Sequence, residues 1–116
     1  MAEEKSKIIV VKGTLFVDLD GTVLHSETEK PLPYAVEKIN KAYDDGYMIV
    51  LTTFRGANWV ISSPYSIPNT QRTLKIIGLK SHHIVWDSPS PRIIINDDGV
   101  AAYQHPCNKG WEEVEF

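Results

Sequence analysis

Apolar residues along this chain switch repeatedly between two spacings, and a polypeptide has few ways to bury both. The runs TLFVDL (14–19) and YMIVLTT (47–53) are nearly continuous and rich in β-branched residues, which is the pattern of strands covered on both faces. Between them, PYAVEKINKAYDDGY places Ala35, Val36, Ile39, Ala42 and Tyr43 on one helical stripe. Pro33 stands near its start and Gly46 is available as a left-handed stop. A second helix is predicted from Asn69, a good cap, to Ile77, with Gly78 ending it. Shorter strands are expected at IIVV (8–11), HIVW (83–86) and RIIIN (92–96). Strand, helix, strand, helix, strand specifies an α/β protein: a doubly wound, Rossmann-like, mainly parallel sheet flanked by helices.

Length and composition narrow the class further. With 116 residues the chain is expected to form one domain, 1–116, whose charged first six residues are frayed. A net charge of -3 gives no reason to expect nucleic acid or an anionic membrane as partner. No apolar run approaches the ~20 residues of a spanning helix, and the start MAEEKSK lacks the basic-then-apolar order of a signal peptide. The single cysteine, Cys107, excludes an internal disulfide and suits a reducing cytoplasm.

In a parallel sheet, ligands bind beyond the carboxyl ends of the strands. Three polar clusters fall there: Asp18 and Asp20, then Thr52 and Thr53, then Asn96, Asp97 and Asp98. Four carboxylates on one rim require a compensating cation, and Mg2+ is the natural candidate because it prefers hard oxygen ligands and a substrate phosphate. A carboxylate beside such an ion can attack phosphorus, while a second carboxyl serves as acid and then base. Gly21 would let the chain turn sharply and present backbone N–H groups to phosphate oxygens. Thr22 and Thr53 would help hold the transferring group. The loop 54–67, FRGANWVISSPYSI, is long for a compact domain, and such loops are commonly functional.

With these residues in view, the chain resembles the haloacid dehalogenase superfamily of phosphohydrolases. DLDGT (18–22) is similar to its first motif, in which Asp18 would be the nucleophile and Asp20 the acid/base. IVLTTFR resembles the second motif, with Thr53 preferred to Thr52 as the phosphate contact. IIINDDG resembles the acidic fourth motif, where Asp97 would hold magnesium and Asp98 assist, joined by Asp18 and the backbone carbonyl of Asp20. One departure stands out. The family usually carries Lys-Pro before the acidic strand, and DSPSPR occupies that place, leaving Arg92, Lys80 or Arg55 to supply the positive charge at a phosphate. Loss of that cation would slow turnover.

The resemblance implies a capless, near-minimal member, since neither 22–34 nor 54–67 has room for a cap domain. Its organisation is similar to that of short proteins of capsule and surface-polysaccharide synthesis. A sugar phosphate is the expected substrate; the alternatives are a nucleotide or polynucleotide-end phosphate, a phosphotransferase, or a non-catalytic phosphate-binding module. A homo-oligomer is expected because an uncapped site needs covering. Trp59 and Tyr65 are read as local packing with a possible covering role, and Trp111 as part of a packed tail. His25, just past the first motif, is read as an exposed flap residue with a substrate contact as the alternative. His82 and His83 are read as a strand entry without metal-ligand spacing, and His105 and Cys107 fit no metal or nucleophile pattern.

Overall fold

The computed structural model describes residues 11–116. The start, expected to fray, and most of the expected strand 8–11 therefore lie outside the described residues. The elements run β1 (Gly13–Asp18), α1 (Ala35–Asp44), β2 (Tyr47–Thr52), α2 (Ile67–Ile77) and β3 (His83–Val85). The strands form one parallel sheet in the order β1-β2-β3. Each parallel step is bridged by a helix, as a crossover of this kind requires.

The core explains the register. Asp18 pairs with Thr52 and Val17 with Leu51, while Thr52 pairs with Val85, so the polar strand ends align on one rim. Leu19, Leu24, Ile39, Ile49 and Leu51 are fully buried. Each contributes ~1.5–3 kcal/mol against the entropy of ordering the chain. The α1 stripe buries Ala35, Ile39 and Ala42 as its spacing predicts. Gly46 takes a left-handed φ of 105° just beyond the helix.

Three local expectations are corrected. First, α2 begins before Asn69: Ser66 is its cap, accepting from the Asn69 N–H, and Pro68 sits in the first turn where a missing N–H costs nothing. Second, β1 is covered on one face only, because Thr14 and Phe16 point outward and Phe16 is 61% exposed, whereas Ile49, Val50 and Leu51 of β2 are all buried. Third, RIIIN (92–96) forms no strand, and Ile93, Ile94 and Ile95 are exposed. A strand obtains its backbone bonds from a neighbour, so apolar composition alone does not create one. Here the segment passes β1 without pairing. A cavity of about 750 Å³ is lined both by Leu15 to Asp18 and by Ile94, Asn96 and Tyr103.

The chain after residue 100 has no helix or strand but is tied to the first half. Trp111 is 4% exposed and donates its indole N–H to the Thr22 carbonyl at 2.7 Å. Asn108 receives the Ser26 N–H on its side chain and donates its own N–H to the Gly21 carbonyl.

Candidate functional site

The end of β1 turns tightly. The carbonyl of Leu19 accepts from Thr22, Val23 and Leu24, and the Gly21 N–H donates to the Leu24 carbonyl at 2.7 Å. Gly21 has φ 80°, and a Cβ there would lie 2.9 Å from Cys107 Sγ, so both conformation and space require glycine. The Gly21 N–H is thus taken up by the turn itself. The chain continues through a short flap pinned by bridges between Asp20 and Leu24 and between Leu24 and Pro31.

Asp18 and Asp20 share a cleft of about 380 Å³ with Phe54, Pro89, Ser90 and Arg92. Asp18 receives the Thr22 hydroxyl on Oδ2 at 3.1 Å and Arg92 Nη1 on Oδ1 at 2.9 Å. Burial pushes the Asp18 carboxyl above the ordinary range, aided slightly by Asp20 and opposed by Arg92 and Thr22. Arg92 is aimed by its own loop: Nη2 donates to the Ser88 carbonyl at 2.6 Å and Nε to the Ser88 hydroxyl. Of the cations considered for the place of the missing lysine, Arg92 is the one that lines the cleft.

Arg55 and Lys80 lie elsewhere. Lys80 pairs with Asp44 at 2.7 Å and sits over the Tyr43 ring, before β3 and at the opposite end of the sheet from the rim. It is corrected from a phosphate contact to a surface pair. Arg55 is 1% exposed and holds Asp20: Nη2 reaches Oδ1 at 2.7 Å and Nε reaches Oδ2 at 3.0 Å. Burial draws the Arg55 pKa down, but Asp20 and Glu29 outweigh it, so the guanidinium stays charged. It is not free to meet a phosphate. Thr53 is also buried, and its hydroxyl accepts the Arg55 N–H at 3.0 Å. Thr52 ends β2 beside Asp18 in the ladder and lines the larger cavity.

The acidic pair at 97 and 98 is not brought to this cleft. Asp97 and Asp98 are exposed, and the Asp98 N–H donates to the Asp97 carboxylate. Among the described residues no group of three His, Cys, Asp or Glu side chains is placed to hold a metal ion. As arranged, the donor set does not fit a magnesium ion: a guanidinium, not a third carboxylate, meets Asp18. The 92–96 segment that leads to the acidic pair joins no strand.

Sequence reasoning missed two members of the site. Glu29, on the flap with φ 60°, places Oε1 2.9 Å from Arg55 Nη2; no spacing signal marks it. Phe54, 51% exposed, walls the cleft and meets Trp59 edge-on at 6.0 Å, and Trp59 donates its indole N–H to the Phe54 carbonyl. Its place two residues beyond the end of β2 was the available clue. Trp59 in turn packs edge-on against Tyr65 at 5.0 Å, so the loop 54–67 carries its own aromatic cluster.

A parallel α/β sheet with an Asp-x-Asp turn and threonine-ended second strand on one rim defines the class, and comparison supports it. A family model for the haloacid dehalogenase-like hydrolases matches residues 15–77, more than half of the chain. The chain belongs to the haloacid dehalogenase-like hydrolases. No curated protein and no solved structure matches it.

Proposed function

We propose that the protein is a phosphomonoesterase that works through an aspartyl-phosphate on Asp18. The observation that carries this reading is the pairing of Asp18 with Arg92 and Asp20 with Arg55 around one open cleft. An incoming phosphoryl group competes with Asp18 for the Arg92 guanidinium, which steers the anion to the nucleophile. An Asp18 oxygen attacks phosphorus while the bond to the leaving oxygen breaks. Asp20 gives that oxygen a proton carried on Oδ2, which meets Arg55 only through Nε, while Oδ1 stays on Nη2. Water then attacks the acyl phosphate, Asp20 takes a water proton, and inorganic phosphate leaves with Asp18 restored.

A small sugar phosphate in the cytoplasm is the substrate class proposed. The open cleft has room for a compact leaving group beside Phe54, and the acidic chain disfavours a polymer backbone. Family membership brings magnesium into the test, while among the described residues Arg92 is the cation paired with Asp18.

The experiment is phosphate release from sugar phosphates and nucleotides, with and without magnesium, for wild type, Asp18→Asn and Asp97→Asn. Asp18→Asn is expected to lose at least ~10³-fold in kcat. Turnover that survives in this variant rejects the nucleophile. Magnesium-dependent turnover that is lost, or that needs far more magnesium, in Asp97→Asn assigns that carboxylate to the metal; an unchanged magnesium dependence leaves the metal to the residues of the cleft.

A further inference from the structure

We infer that Arg55 is a positioning residue for Asp20, anchored on its second side by the flap carboxylate Glu29. The inference rests on the reading of Asp20 as acid/base. Every edge of the guanidinium is occupied. Nε donates to both Asp20 oxygens at 3.2 and 3.0 Å, and Nη2 donates to Oδ1 at 2.7 Å. Nη1 donates to the Thr70 hydroxyl at 3.2 Å and to the Pro64 carbonyl at 3.3 Å. Glu29 faces Nη2 at 2.9 Å, and the group lies 4.8 Å from the centre of the Tyr65 ring. The backbone is fixed too, since the Arg55 N–H donates to Thr53 and its carbonyl accepts from Asp87.

The consequence is a fixed carboxylate plane. Asp20 is one-third exposed at the cleft and would otherwise rotate freely about its terminal bond. A forked arginine removes that rotation, which a lysine's single ammonium does not. Acid catalysis depends on this, because a proton donor contributes only when aimed within hydrogen-bond reach of the leaving oxygen. Glu29 extends the control to the flap. Its N–H donates to the His25 carbonyl at 2.9 Å, so flap position and acid orientation share one guanidinium.

Leaving-group dependence tests this. An aryl phosphate such as p-nitrophenyl phosphate departs with little help from an acid; an alkyl phosphate does not. For Arg55→Lys, kcat/KM, which reports only the reaction up to the aspartyl-phosphate, is expected to fall about 10–100-fold on the best alkyl phosphate, within the range that acid catalysis supplies. On the aryl substrate it should fall less than about 3-fold. Glu29→Ala should show the same selectivity at smaller size, and it carries the test should Arg55→Lys fail to fold by circular dichroism. Equal losses of kcat/KM on both substrates overturn the inference. Asp20→Asn separates the two readings. If its loss is also independent of the leaving group, the acid/base assignment itself fails; if its loss is selective and those of the Arg55 and Glu29 variants are not, only the positioning role falls.

Discussion

Each rim aspartate meets an arginine, but the two arginines belong to regions held together in different ways. Arg55 follows β2 within the stretch 13–85, where parallel ladders and a continuous apolar core fix the backbone. Its guanidinium is enclosed, and its partners come from four separate segments. Arg92 belongs to 86–116, where no helix or strand forms and Ile95 is 94% exposed. That region is fastened at points: Trp111 beneath Thr22, Asn108 on the flap, and Arg92 on Asp18. The first region is ordered by its interior, the second by what it grips. In the proposed reaction the former would orient the acid and the latter would offer charge to an incoming anion.

The sharpest contrast should appear in stability. Trp111→Ala removes the tail's one large buried side chain and its bond to Thr22, and should cost ~3–5 kcal/mol in urea unfolding. Ile95→Ser, in the same region but exposed, should stay within ~0.5 kcal/mol. Similar costs for the two would mean that the isoleucines are buried and that the point-contact picture is wrong.

A smaller effect is expected from Arg92→Gln. Loss of the guanidinium should weaken substrate capture by about tenfold in kcat/KM on every phosphate, whatever its leaving group, with stability little changed because the pair is partly exposed. A leaving-group-dependent loss would blur the division between the two arginines.

The smallest effect concerns pH. Because burial raises the Asp18 pKa, the folded state binds more protons than the unfolded chain between the ordinary carboxylate value and the raised one. The contribution of Asp18 to stability is therefore full below that window and is lost as pH rises through it. Asp18→Asn has no such titration. Its stability relative to wild type should rise across the window and level off above it, as measured by urea midpoints at a series of pH values. A flat difference would show that Arg92 and Thr22 cancel the effect of burial.

Much of the wound region was legible along the chain. Helix α1 follows from its stripe, β2 from its unbroken apolar run, and the Asp18/Asp20 turn from Gly21 and Thr22, because each depends on residues close in sequence. The start of α2 was misplaced, since Ser66 caps as well as Asn69 would and Pro68 is tolerated in a first turn. RIIIN has the composition of a strand yet makes none, as its pairing depends on a distant edge. Arg55 was visible as a cation near the rim, but nothing local told whether it faced phosphate or Asp20.

By itself the sequence determined the order of elements, the rim on which the acids gather and the family to which the chain belongs. These rest on periodicity, turn chemistry and short motifs. Tertiary structure alone decided which arginine serves which aspartate, that Glu29 and Phe54 join the site, and that Asp97 and Asp98 stand apart from it. The physical reason is range. Backbone conformation answers to neighbours a few residues away, whereas ion pairs and strand pairing are settled between segments tens of residues apart, by whichever contacts best offset burial and lost entropy.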